Sequence, residues 1–547
     1  MKHSVRLIAM LLMLACLFAC LVACNKPEEH HKPVSTDPDN GGYNQEETTP
    51  ADDGGEEGNP GGDEEEEELP PLPDPVDFGS EGTPYTYKAL IRTGTAGATE
   101  SQMQAWGNNY YRAIDFWVSE AESETDAIRY AVYSRNAKIE DTYNVRIKQI
   151  NQNGDMTQQL KLLYMNTEKL DLTVILARAA ANAATQNLLS NLKEMESLDL
   201  AHPSYDQNSI KELSLGNRLY YLSGDMNVST MEVCGPTLVN LEMYNDYIET
   251  FVELFDNDPT YADIYSIVLS QKWTIDTMLE MCTTINSDVD DSDGKALGSQ
   301  PGDILGYFAY TGMGVYYFYG SGGRLTEIDE EGNPKLVIEK YNDLFDYLFA
   351  KFNTKTGDNA SWLPNGYSGD RWNTFSSGRC LFTDMTLYDI RVQLYEASPF
   401  QYGILPNPTY EEGMEYNSVV NFTNCNHLWA IPNMTNDAEV AAQMMNIFAA
   451  YSNVNYTDST MYAYYERTLY LNMATDAGSR KAMDIIKNSM VYDIALLYDW
   501  NKLGTLTLGE LTIDYQGRYA TNVTNQASIN QLLQDTVEKL KNPQTVQ

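Results

Sequence analysis

Between residues 126 and 192 the chain switches repeatedly between two hydrophobic periods, and few folds tolerate that. Asp126–Tyr143 (DAIRYAVYSRNAKIEDTY) sets apolar residues at helical spacing. Asn144–Ile150 then largely alternates apolar and polar residues, as a strand does. Thr157–Asn166 returns to helical spacing, Leu170–Leu176 (LDLTVIL) reads as a buried strand, and a further helix is predicted at about 179–192. Upstream, Tyr85–Ile91 is patterned as a strand. Strands alternating with helices argue for an α/β layer with parallel pairing. The middle, about 236–400, is more mixed. There Thr274 stands as a cap before the helical run Ile275–Met281, and Arg324–Ile338 (RLTEIDEEGNPKLVI) reads as two strands around a Gly-Asn-Pro turn. Late in the chain a short strand is predicted at 401–406. Leu428–Pro432 leads into a helix from about Asp437 to Ser452, and further helices are predicted at 476–490 and 527–540. No internal repeat is visible.

The 547 residues include 36 Lys and Arg against 78 Asp and Glu, a formal net charge of −42. Phosphate recognition needs clustered basic side chains, so no nucleic-acid partner is expected. The length suits two to four domains or lobes. The charge is uneven: residues 25–84 hold 19 acids against Lys26 and Lys32, and residues 85–547 carry a net −27. The first residues, MKHSVR and then the apolar run Leu7–Ala23, read as a secretory signal. Residues 25–84 are rich in Gly, Pro, Asp and Glu and cannot bury enough apolar surface to offset the entropy of ordering. They read as a disordered tether that could reach about 200 Å at roughly 3.3 Å per residue.

Of seven Cys, Cys234, Cys282, Cys380 and Cys425 lie beyond the leader and tether, at spacings that match no zinc motif. Two disulfides and four free thiols both remain open. Only His202 and His427 lie in the folded region, far apart, so no metal site is expected. No phosphate-binding glycine loop, nucleophile turn or His-Glu-x-x-His motif occurs, and no cofactor is expected. With 78 acids some carboxylates must lie near one another, and nothing in the sequence singles out one pair as a glycosidase's. Aromatic residues are abundant, with 39 Tyr and seven Trp. Flat rings with polar tips pack cores or stack on sugar faces. Rings set among Gly, Asn, Asp and Ser suit the second use: Tyr316 (GMGVYYFYGSGG), Trp362 (NASWLPNGY), Trp372 (SGDRWNTFSSGR) and Trp429 (TNCNHLWAIPN).

These residues carry two resemblances. Leu21-Val22-Ala23-Cys24 resembles the lipobox of bacterial lipoproteins, which implies cleavage before Cys24 and lipidation of its thiol. Over roughly 120–500 the chain is similar to the extracellular solute-binding lipoproteins of bacterial ABC importers, of the carbohydrate-binding type. Ile139–Val145 resembles the family's first helix running into its second strand. Leu170-Asp171-Leu172 resembles the strand at whose end the first lobe's binding face begins. Leu219–Asp225 resembles the approach to the first lobe crossing, and Trp273–Thr277 a helix opening in the second lobe. Phe375–Phe382 resembles the Phe-x-x-Gly-[Lys/Arg] segment. Tyr402–Pro406 resembles the return crossing, and Ile431-Pro432 the stretch that comes after that crossing and before a helix. Thr409 departs from the pattern, standing where Lys is common.

The resemblance implies an α/β, two-lobe clamp of the type II periplasmic-binding-protein-like class, with the lobes joined by multiple crossings. Its expected parts are a signal peptide (1–24), a tether (25–84), a first lobe (85–235 plus 403–452) and a second lobe (236–402 plus 453–547). It implies a lipid-anchored extracellular subunit that hands a sugar or oligosaccharide to a membrane permease without chemical turnover. Cleft residues expected on this reading are Asp225, Tyr316, Trp362, Trp372, Trp429 and Arg178. A surface polysaccharide-degrading enzyme, or a binder of peptides or other small solutes, are the alternatives.

Overall fold

The computed structural model describes residues 70–93, 115–116, 126–152, 154–285, 303–352, 362–365, 373–394, 398–422, 426–474, 476–504, 525–544 and 546. The leader, the lipobox with Cys24, most of the tether, Trp372 and Cys425 lie outside them.

The first sheet grows from the alternation seen in the sequence. Strand β1 (Tyr85–Arg92) pairs in parallel with β2 (Val145–Gln152) along its whole length, and with β3 (Leu172–Leu176) at Ala89–Ile91. The helix Ala127–Tyr143 lies between β1 and β2. The Asp126 side chain caps its start, accepting from the amides of Ile128 and Arg129. Asn144, in the left-handed region at φ 50°, ends it and turns the chain straight into β2. Asp155 likewise caps the helix Met156–Met165, and β3 runs directly into the helix Ala177–Thr185. Asp171 pins this layer: buried, it accepts from Tyr85 Oη (3.0 Å), the Lys88 amide (2.9 Å) and Thr435 Oγ1 (2.9 Å).

The chain then crosses to a second sheet. Strands β4 (Thr237–Asn240), β5 (Leu305–Tyr310), β8 (Trp362–Asn365), β9 (Cys380–Asp384) and β10 (Tyr402–Leu405) pair in the order β10-β4-β9-β5-β8. Between β5 and β8 a small hairpin, β6 (Thr326–Ile328) and β7 (Pro334–Leu336), forms around the turn that the sequence marks. Thr274 caps Ile275–Thr283 as expected, its Oγ1 accepting from the Thr277 amide. A short parallel pair, β11 (Ser418–Val419) with β13 (Met490–Val491), lies on the way back, and β12 (His427–Ala430) rejoins the first sheet beside β3. This is the two-lobe α/β arrangement with several crossings that the resemblance implied.

Two boundaries differ from expectation. Residues 403–405 do not belong to the first lobe, because Tyr402–Leu405 pairs antiparallel with β4. Gly403 is also wedged there; a Cβ on it would collide with Tyr265 Oη. Nor does the tail 453–547 belong wholly to the second lobe. The helix Ala477–Asn488 does pack on β10, but Gln526–Lys541 packs on Ala177–Thr185, and Tyr220 Oη donates to the Leu540 carbonyl (2.8 Å). Cys234, Cys282 and Cys380 are free and buried, so a two-disulfide arrangement does not form.

Trp429 sits on β12 with no exposed surface. Its ring lies 5.6 Å from Phe116 and 5.6 Å from Phe448, with the Arg135 guanidinium 5.9 Å away. Both faces of the indole are therefore covered by protein. Emptying this space in Trp429→Ala is expected to lower stability by about 3–5 kcal/mol in denaturant unfolding. A loss under about 1 kcal/mol would place the ring outside the core.

Candidate functional site at the crossing

In each sheet the strand that has just arrived from the other sheet runs antiparallel to its neighbour. β4 opens with Thr237 opposite Asp384, the last residue of β9. β12 opens with His427 opposite Leu176, the last residue of β3. Both sheets therefore present the carboxyl ends of their parallel strands to the crossing segments. In open α/β sheets that is where ligands bind.

The outward crossing contains the short helix Val228–Glu232, whose residues are all buried. Side chains from distant parts of the chain converge on it. The Ser229 amide donates to Asp115 Oδ1 (3.2 Å), and Thr230 Oγ1 donates to Asn426 Oδ1 (3.3 Å). Asn227 Nδ2 donates to the His427 carbonyl, and Glu232 Oε1 accepts from Arg391 Nε (2.5 Å). Arg135 donates to the Asp115 carbonyl (2.8 Å). Arg391 and Tyr464 come from π-helical segments, Ile390–Leu394 and Ala463–Met473. Such widened turns are frequent at functional sites.

This layer is polar, buried and incompletely satisfied. Asp115 Oδ2, Arg391 Nη2, Asn426 Nδ2, Tyr464 Oη and Trp429 Nε1 are all buried without a hydrogen-bond partner among the described residues. A buried polar group left unpaired costs about 1–3 kcal/mol. Groups of this kind near the crossing helix can be met by water or by a polar solute. The set supplies amide, guanidinium and indole donors, a carboxyl group and a phenol, so it can both donate to and accept from a polar solute.

Burial dominates the electrostatics. It raises the Asp115 carboxyl to about 7, helped by the neighbouring Glu232 charge and opposed by the amides of Ser229 and Val228 and by Arg135. Burial also lowers Arg135 to about 9, with Asp115 acting against it. Glu232 is raised by burial too, while Arg391 holds it back.

The residues singled out in the sequence are scattered about this layer. Trp429 borders it through Phe116 and Arg135 and contributes one of its unpaired N–H groups. Tyr316, on the helix Gly314–Gly320, donates to the Val233 carbonyl (3.2 Å) just beyond the crossing helix. A Cβ on Gly235 would lie 2.6 Å from its ring, so this position admits only glycine beside it. Asp225 is tied up, accepting from the Val454 amide (3.0 Å) with Lys487 4.0 Å away. Arg178 pairs with Asp499 (3.1 Å). Trp362 opens β8 opposite Tyr307. The structure therefore brings Trp429 and Tyr316 to the crossing and holds Asp225 and Arg178 in other contacts. Asp115, Glu232, Arg391, Asn426 and Tyr464 do not stand out in the sequence. Asn426 sits in the aromatic-bearing segment TNCNHLWAIPN, and Glu232 is a lone acid before Val-Cys, which is the one signal the sequence offers.

The chain matches no family model and no curated protein. Solved structures resemble it at low identity. A cyclo/maltodextrin-binding protein complexed with maltotetraose is 12% identical, over 85% of this chain and 98% of that one, with a TM-score of 0.47. The maltose-binding periplasmic protein of Listeria monocytogenes in complex with maltose is 14% identical, over 84% and 99%, at 0.45. The galacto-N-biose-/lacto-N-biose I-binding protein of the ABC transporter from Bifidobacterium longum is 10% identical, over 83% and 99%, at 0.45. The likeness is one of chain course, and the fold assignment rests on the strand pairings above.

The raised Asp115 carboxyl makes stability fall with pH. Between its ordinary 3.8 and about 7 the unfolded chain releases a proton that the folded chain keeps. Stability is thus lost across that window and levels off above it. Asp115→Asn keeps an acceptor for the Ser229 amide and removes the titration. Its melting temperature is expected to fall less than the parent's between about pH 5 and about pH 7.5. Parallel curves would assign the titration to other groups.

Proposed function

We propose that the chain is an extracellular solute-binding subunit that grips a sugar or oligosaccharide between its two lobes and releases it unaltered to a membrane permease of an ABC importer. The observation that carries this reading is the cluster of unpartnered buried donors and acceptors where both sheets turn their carboxyl ends toward the crossing. Closure around a ligand requires that the closed state bind it better than the open one. Unpaired groups that a solute's hydroxyls satisfy only when both lobes enclose it supply that difference. On this reading no bond is made or broken. Cys24 carries the lipid anchor, and the acidic tether spaces the lobes from the membrane.

The test is calorimetric titration of the purified chain with a panel of mono- and oligosaccharides and of peptides, with product analysis of each mixture. Saturable sugar binding with no product is expected. Asn426→Ala should weaken it about tenfold, equivalent to about 1.4 kcal/mol. Tyr130→Ala, on the exposed side of the helix Ala127–Tyr143, should leave it unchanged. Release of shortened glycans would overturn the binding reading in favour of a hydrolase, and binding confined to peptides would overturn the choice of sugar.

A further inference from the structure

The hairpin β6–β7 belongs to one lobe by sequence and to the other by contact. Its roots lie in the second lobe. Before it, Tyr317 of the helix Gly314–Gly320 donates to Asp384 at the end of β9 (3.0 Å). Phe318 stacks 4.6 Å from Phe345 on the helix Asn342–Phe352, which comes after the hairpin. The body of the hairpin is fastened elsewhere. At its base, buried Asp493 accepts from the amides of Leu325 (2.8 Å) and Thr326 (3.1 Å) and from Thr326 Oγ1 (2.5 Å). Asp493 also caps the helix Ile494–Tyr498, which packs on Ala177–Thr185 in the first lobe. At the tip, the Gly332 carbonyl accepts from the Gly216 amide (2.8 Å), and Asn333 Oδ1 accepts from Lys541 Nζ (3.1 Å). Lys541 ends the helix Gln526–Lys541, which packs on the same first-lobe helix.

A cavity of about 620 Å³ opens beneath the hairpin. Lys193 and Lys211 line it from the first lobe, and Glu327, Glu330 and Glu331 from the hairpin. Glu212 joins the lysines on the first-lobe side, Arg324 joins the acids on the hairpin side, and Glu327 is paired with Lys340, so both walls carry charges of both signs.

We propose that this hairpin is a strap: rooted in the second lobe and fastened to the first, it limits how far the lobes part. The inference is independent of which solute binds, because the fastening contacts, Asp493 to Leu325 and Thr326, Gly216 to Gly332 and Lys541 to Asn333, involve none of the unpaired groups at the crossing helix.

Gly332 gives the means to undo it. Its φ is +81°, and a Cβ there would lie 2.8 Å from the Asn217 amide nitrogen, so Gly332→Val must lift the tip. Spin labels on Met165→Cys and Glu249→Cys, in the full chain with Cys16, Cys20, Cys24 and Cys425 replaced by Ser, report the separation of the lobes by pulsed EPR without any ligand. The parent is expected to give a narrow distance distribution. Gly332→Val combined with Lys541→Ala should broaden it toward longer distances, with an unchanged far-UV circular dichroism spectrum. Replacing 329–333 by two glycines should do the same, and serves if the first variant folds poorly. Distributions that superimpose on the parent's in either folded variant would overturn the strap.

Discussion

The antiparallel entry of β4 and β12 is the constraint on which the rest depends. A strand that arrives from the other lobe and lies beside the last parallel strand must run against it if it enters at that strand's carboxyl end. Thr237 opposite Asp384 and His427 opposite Leu176 are that geometry in both sheets. It places the crossings, rather than a sheet edge or a helix face, where the backbones of both lobes end. The helix Val228–Glu232 is therefore enclosed on several sides, and polar side chains on it must find partners within the protein or within a bound molecule.

The partners found are only partly sufficient. Arg391 holds Glu232, and the Ser229 amide holds one oxygen of Asp115. The second oxygen of Asp115 and the Asn426 amide nitrogen remain unmatched among the described residues. A purely structural layer gains by satisfying or replacing such groups, since well-packed apolar residues would be as stable or more so. Their position at the meeting of two lobes is what gives the layer its functional reading.

Much of the first lobe is legible in the sequence because its elements are long and strictly periodic. β1, β2, β3 and the helices between them lie within about two residues of their expected places, apart from the helix after β3, which ends at Thr185. The Thr274 cap and the β6–β7 turn are legible because capping and turn chemistry are local. β4, β5, β8 and β9 are harder: they are four to six residues long and their partners are distant, so no local period marks them. The lobe boundary at 403 fails for a related reason. Tyr402–Leu405 is legible as a strand, yet nothing local states which sheet it joins. The site is the least legible part. Asp115, Glu232, Arg391 and Tyr464 are single letters spread over some 350 residues, and only the folded chain assembles them. Trp429 shows the converse: its conspicuous setting points to a sugar platform, while its ring faces are spent on Phe116, Phe448 and Arg135.

On the proposed reading a solute is held at the crossing helix. Hydrogen exchange of the backbone amides, with and without a saturating sugar, tests it most directly. Added protection is expected in 228–232 and 426–430, with the outer strand β2 unchanged. Saturable binding that left both crossing segments as they were, and protected some other surface instead, would contradict it.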